Sequence, residues 1–114
     1  MVKRYDDGLS RTFTALVDPT RRAILSRLAS HDTLSVSALA QPFAIQLPAI
    51  MKHLDVLADA GLLTRRKTGR TVQCQLSPRP LSHAARWLAR TTAFWESRLD
   101  NLAAVLEDKH GRRR

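Results

Sequence analysis

Gln46 to Leu76, QLPAIMKHLDVLADAGLLTRRKTGRTVQCQL, is the stretch that decides the fold. Ile50, Leu54, Leu57 and Ala58 recur at helical spacing, so its first half is an amphipathic helix. Gly61, a residue that readily takes the left-handed conformation, stops it. Leu62-Leu63-Thr64 opens a strand, Lys67-Thr68-Gly69-Arg70 is a turn, and Thr71 to Leu76 alternates, with Val72, Cys74 and Leu76 on one face. The hairpin carries Arg65, Arg66, Lys67 and Arg70 around Gly69, with no acid among them. Burying unpaired cations is costly, so this basic tip should point away from the core. A helix with a small-residue N-terminal face beside a basic hairpin suits a nucleic-acid duplex: the helix enters a groove and the hairpin grips phosphates.

Upstream, residues 1–8 are polar and read as a flexible N-terminus. Leu9, Phe13, Leu16 and Val17 mark a short amphipathic helix, which Asp18-Pro19 breaks. Asp18 can cap the next helix, and Pro19 at its first position has no donor to waste. That helix runs from about Pro19 to Ala29 with Ile24, Leu25 and Leu28 inward. Arg21, Arg22 and Arg27 lie elsewhere on it, and an intraprotein ion pair is favoured over phosphate contact for Arg21 or Arg22. After a turn at Ser30-His31-Asp32, Ser35 or Ser37 caps a third helix with Val36, Leu39, Ala40 and Phe43. Ala44-Ile45 links it tightly to the fourth. A short helix, a brief link and a longer helix with one apolar stripe form a helix-turn-helix pattern.

Downstream, Pro78 and Pro80 precede a long last helix, roughly Leu81 to Asp108. Leu81, Leu88, Trp95 and Leu102 are seven apart, and Ala85, Thr92, Leu99 and Leu106 form an interleaved row of seven. Two such rows make the narrow seam of a coiled-coil-like contact. Trp87 and Phe94 lie to one side of the seam, which predicts a second face turned to the helix's own domain. A helix this long on so small a domain leaves much of the seam exposed, so a homodimer is expected, with Leu9 and Phe13 of the first helix joining the contact. Residues 9–108 then form one domain, its dimerisation helix at about 81–108, and 109–114 a basic tail.

Composition sets the bounds. The 114 residues are 44% hydrophobic and 25% charged, enough for one modest core. Net charge is +9: residues 1–60 hold seven Lys/Arg against six Asp/Glu, and residues 61–114 hold twelve against four. Such asymmetry favours a polyanionic partner. The single cysteine, Cys74, allows no intramolecular disulfide and falls on the inward strand face, where a buried structural thiol is expected. No run of about 18 apolar residues exists, and the start MVKRYDDG lacks a signal-peptide core, so the reading is cytoplasmic with no membrane partner. No nucleophile-elbow, phosphate-loop or dinucleotide-loop motif occurs, and four glycines provide no cradle. His31, His53, His83 and His110 are scattered, without a second cysteine. No enzyme activity, cofactor or metal is expected.

These pieces resemble the ArsR/SmtB family of winged helix-turn-helix repressors. The matching residues are Leu16-Val17-Asp18-Pro19-Thr20-Arg21-Arg22-Ala23-Ile24-Leu25, then Pro48-Ala49-Ile50-Met51-Lys52-His53-Leu54, then Leu57 to Leu63 and the basic wing. Pro80-Leu81, Ala85, Trp87-Leu88 and Phe94 to Asp100 look like a subgroup without the usual metal sites. The resemblance implies a mainly α fold of five helices and a two-stranded wing, dimerised through the first and last helices. It also implies operator binding, usually repression of the regulator's own and neighbouring genes, released by an inducer. Metal-sensing relatives have a Cys-x-Cys pair where this chain has Ser35 and Ser37, and hydroxyls are poor substitutes for thiolates. His83 stands on the last helix, but its distant partner position is Phe94. In the recognition helix, Gln46-Leu47 and Met51 replace Ser-Gln and Ser.

The residues expected nearest double-stranded DNA are therefore Gln46, Leu47, Ala49, Met51, Lys52 and His53 on the helix, and Arg65, Arg66, Lys67, Thr68 and Arg70 on the wing. A two-fold dimer predicts a pseudo-palindromic operator. The competing reading is a protein-interaction module that uses the Leu47/Met51 surface. An RNA-binding winged helix is disfavoured by the shortage of aromatics for base stacking.

Overall fold

The computed structural model describes residues 7–112; residues 1–6 of the flexible start expected at 1–8, and the final two residues of the basic tail, lie outside the described residues, while Asp7 and Gly8 belong to the first helix. The elements are α1 (Asp7–Leu16), α2 (Pro19–Ala29), β1 (Leu34–Ser35), α3 (Val36–Ala40), α4 (Leu47–Asp59), β2 (Leu63–Thr68), β3 (Thr71–Leu76) and α5 (Arg79–Arg112). They fall into two compact units, one ending at Ala84 and one starting at Ala85.

The first unit holds the core. Ala15, Ile24, Leu25, Leu28, Leu39, Ile50, Leu54, Leu57, Leu62, Leu63 and Cys74 form one buried cluster. The stripes expected to face inward on α2 and α4 supply most of it, Ile24, Leu25 and Leu28 from one and Ile50, Leu54 and Leu57 from the other, with Ala58 half-buried against it. Burying each such side chain is worth about 1.5–3 kcal/mol, which is what fixes the angle between these two short helices. Val17 is the exception on the N-terminal side. It was expected inward, but α1 ends at Leu16 and Val17 is 72% exposed.

Local chemistry sets the helix ends. Asp18 caps α2, its carboxylate accepting from the Arg21 backbone N–H at 3.0 Å. Ser35 caps α3, its hydroxyl accepting from Ala38 N–H at 3.1 Å. At the end of α4 the Leu62 N–H donates to Leu57 O and the Gly61 N–H to Ala58 O, both at 2.9 Å. That pair of bonds is a Schellman stop, and it requires the left-handed Gly61, whose φ is +74°. Leu57 and Leu62, which flank the stop, are both fully buried.

The sheet has three strands, not the two of the expected wing, in the order β1-β3-β2 and antiparallel throughout. Leu34 pairs with Cys74 and Ser35 with Gln73, so β3 is the central strand. The β2–β3 ladder runs from Leu63↔Leu76 to Thr68↔Thr71. Only Gly69 and Arg70 lie beyond it, a shorter loop than the four-residue turn expected. Gly69 has φ +62° and Arg70 does not share the left-handed region, the pattern of a II′ hairpin turn. Only Leu63 of β2 is buried; the rest of the strand is exposed.

The second unit is the remainder of α5, a 34-residue helix in total. Within it Leu88, Trp95, Leu99, Leu102 and Leu106 are exposed, as are Phe94 and Val105. Phe94 meets Trp95 edge-on, ring centroids 5.6 Å apart, and Arg98 lies 4.8 Å over the Phe94 ring. Leu81 departs from the seam: it is half-buried against the core of the first unit. No described helix is long and apolar enough to cross a membrane.

Candidate nucleic-acid interface

The start of α4 is built unlike those of α2 and α3. Gln46 occupies the cap position with φ −67° and ψ 150°, yet its side chain makes no capping bond. The exposed amide is left over, with two donors and an acceptor unspent. Leu47, the first helical residue, is 51% exposed. Lys52 is exposed one turn further on, while Ala49 is half-buried.

Two residues expected nearest the bases are used otherwise. Met51 is half-buried and packs on the core cluster, so most of its surface is unavailable to a groove. His53 turns back to α2. Its Nδ1 lies 3.3 Å from an Arg21 guanidinium nitrogen and 3.9 Å from the Asp18 carboxylate. The same arginine donates to Ala15 O at 2.7 Å and Thr14 O at 3.3 Å. Arg22 donates to Leu16 O at 2.6 Å and Val17 O at 2.8 Å. Both arginines therefore cap the carbonyl end of α1, where cations meet the negative pole of the helix. The role expected for them was an ion pair; unsatisfied carbonyls are what they found.

The wing divides similarly. Arg65 donates to the Asp55 carboxylate of α4 at 2.7 Å, joining the hairpin base to the helix. Sequence reading singled out Arg65 but missed Asp55. The signal was available: β2 runs back alongside the helix it follows, which brings residue 65 near residue 55. Arg66, Lys67, Thr68 and Arg70 are exposed, and among the described residues none of the three cations has an ion pair. The tip thus carries three uncommitted charges.

Between helix and wing lies a hollow of about 420 Å³ lined by Ser35, Val36, Ser37, Leu47, Met51, Arg70, Thr71 and Val72. Its lining mixes apolar side chains with hydroxyls and the Arg70 cation. Cys74 is fully buried behind it, and that burial raises its thiol pKa, with the nearby Arg65 charge opposing. A raised pKa and no access make a poor redox centre. Among the described residues no three His, Cys, Asp or Glu side chains come together as metal ligands. Ser35, at the place of a metal-binding thiol in the sensing relatives, is occupied as a helix cap.

Residues 16–66 match a family model described as a helix-turn-helix domain. The chain is 37% identical over 99 residues to the HTH-type transcriptional regulator Rv2034 of Mycobacterium tuberculosis, covering 87% of this chain and 89% of that one. It is 30% identical over 80 residues to the transcriptional repressor SdpR of Bacillus subtilis, covering 70% and 88%. The crystal structure of an ArsR family transcriptional regulator, RHA00566, superposes with a TM-score of 0.76 at 42% identity, covering 82% of this chain and 95% of that one. A basic wing, a recognition helix with an open start and this set of relatives agree: the chain belongs to the ArsR family of winged helix-turn-helix proteins, DNA-binding transcriptional regulators and not enzymes.

Proposed function

We propose that the protein is a homodimeric repressor that binds a pseudo-palindromic operator at its own or neighbouring genes. The start of α4 enters the major groove, with Gln46, Leu47 and Lys52 outermost and Ala49 close behind. Arg66, Lys67, Thr68 and Arg70 reach the flanking phosphates. The observation that carries this reading is the set of three wing cations with no protein partner, beside a helix start whose cap amide is unspent. Met51 and His53 stand behind this surface as its support.

The dimer rests on α5. Ala85, Leu88, Thr92, Trp95, Leu99, Leu102 and Leu106 are all exposed and repeat by seven, and an apolar seam of that length in water calls for a cover. A second copy provides one of matching period, with Leu9 and Phe13 of α1 at its edge. Repression is carried over from relatives such as the one named a transcriptional repressor. An electrophoretic shift of the chain's own upstream DNA, with scrambled duplex as competitor, tests the function. Retention against the scrambled duplex is expected, and equal loss to either competitor favours the protein-interaction module. Sedimentation should give twice the 12.8 kDa chain mass, and Leu99→Glu should return it to one.

A further inference from the structure

We infer that Leu47 reads sequence, by packing on the 5-methyl group of a thymine in the operator half-site, with the Gln46 amide addressing an adenine edge beside it. The inference rests on the DNA-binding reading above and names what that site prefers.

Leu47 is the first helical residue of α4, and half its surface is in solvent. The apolar residues that follow it on the same face of the helix do not share that exposure. Ile50, Leu54 and Leu57 are fully buried, and Met51 rests on the core. The core has therefore ended before Leu47, and protein packing accounts for only part of its side chain. It lines the hollow between α3, α4 and the wing together with apolar Val36, Met51 and Val72, hydroxyl-bearing Ser35, Ser37 and Thr71, and the Arg70 cation. A lining that mixes apolar side chains with hydroxyls and a cation fits a small apolar group carried by a polyanion.

DNA offers one such group. Every other feature of a base edge in the major groove is a hydrogen-bond donor or acceptor, and the thymine methyl is the exception. Leucine has no polar atom, so it can discriminate at that point and at no other. Gln46 complements it. Glutamine is a poor helix cap and Gln46 makes no capping bond, so its amide is free, and an amide can bond adenine through both N6 and N7. The adjacent pair thus favours A·T over G·C by two independent contacts.

The test starts from a duplex selected by the full chain from a randomised pool. Each thymine of that duplex is replaced in turn by deoxyuridine, which removes the methyl and leaves every hydrogen bond. One position per half-site should weaken wild-type binding about 4-fold, and both together about 15-fold, as expected for one buried carbon at each. Leu47→Ala, a change at a half-exposed position, should fold normally by circular dichroism and bind the thymine and uracil duplexes equally. Wild-type indifference to uracil at every position overturns the inference while leaving the DNA-binding reading intact. So does a uracil penalty that Leu47→Ala retains, since the methyl is then read elsewhere. Selection that yields no preferred duplex removes the DNA-binding reading itself, and this inference with it.

Discussion

The arginines of α2 and the cations of the wing are the same chemistry put to opposite uses. Arg21, Arg22 and Arg27 each spend their guanidinium on backbone carbonyls: Arg21 and Arg22 on the end of α1, Arg27 on Ala38 O at 3.0 Å. Arg66, Lys67 and Arg70 have no such partner among the described residues, and Arg65 stands between the two groups through its pair with Asp55. A net charge of +9 therefore overstates the binding surface, because part of it is a fastening between helices. The α2 set fastens α2 to the end of α1 and to α3, with Arg21 alone also reaching His53 of α4, and the wing set is left for a partner. Charge invested in the fold and charge reserved for phosphate can be separated by experiment, since the first is read in stability and the second in salt dependence.

The largest effect is expected at the wing. On the proposed reading, Lys67→Ala with Arg70→Ala removes two phosphate contacts from each copy in a dimer. For a dimer, affinity should fall on the order of 10³-fold at 0.1 M salt, and the slope of log K against log salt should flatten by about 3 to 4. Weakening should be alike for all sequences, and the thermal midpoint should barely move. An unchanged slope would remove the wing from the contact. Arg21→Ala should do the reverse. It leaves the Ala15 carbonyl and the His53 ring without a donor, while Thr14 O keeps only the Val17 N–H, at a cost of about 1–3 kcal/mol in urea unfolding. The salt slope of the protein that remains folded should be that of the wild type. Arg21→Lys should not rescue it, because one ammonium cannot span the positions that the planar fork reaches.

Arg65 tests the middle of the comparison. Its pair with Asp55 is exposed enough that Arg65→Ala should cost less than about 1 kcal/mol of stability. Its effect on DNA should exceed that cost, because the substitution uncovers a carboxylate on the recognition helix. Arg65→Ala combined with Asp55→Asn should recover part of the lost affinity, as measured by titration at fixed salt. Failure to recover would mean that Arg65 itself reaches a phosphate.

How much of this was legible in the sequence follows from the range of each signal. Local chemistry was readable: Asp18-Pro19 set the start of α2, Gly61 the end of α4, and Gly69 the hairpin turn. The strand β1 was not, because two residues carry no periodicity; Leu34-Ser35 is a strand only through its pairing with β3. The third helix was read too long for a related reason. Phe43 continues its apolar spacing but lies past its end at Ala40, half-buried. Leu81 was assigned to the seam because the seven-residue period does not mark where α5 leaves the core. Within the site, the exposed wing was legible from composition alone. His53 and Met51 were not, since their neighbours belong to other elements: Arg21 is 32 residues from His53 in the chain. Leu47 was visible as a departure from the family pattern, but its exposure could not be read from spacing.

The smallest expected effect concerns acid, and it bears on the fold side of the comparison. The Arg21 N–H is the main influence holding the Asp18 carboxyl below its ordinary value of 3.8, with smaller help from the His53 charge and against the effect of desolvation. The folded protein thus binds this proton less readily than the unfolded chain does. The cap's contribution is complete above the unfolded value and is lost as pH falls through the lower folded one. Asp18→Asn keeps an oxygen to accept from Arg21 N–H but cannot titrate. Urea midpoints measured from about pH 5 to pH 3 should therefore fall less steeply for Asp18→Asn than for the wild type, with the curves diverging only below about pH 4. Parallel curves would mean that the Asp18 charge adds nothing beyond the hydrogen bond. The tie between the start of α2 and the recognition helix would then rest on the Arg21 guanidinium alone, which concentrates the fastening role in one residue and sharpens its contrast with the uncommitted wing.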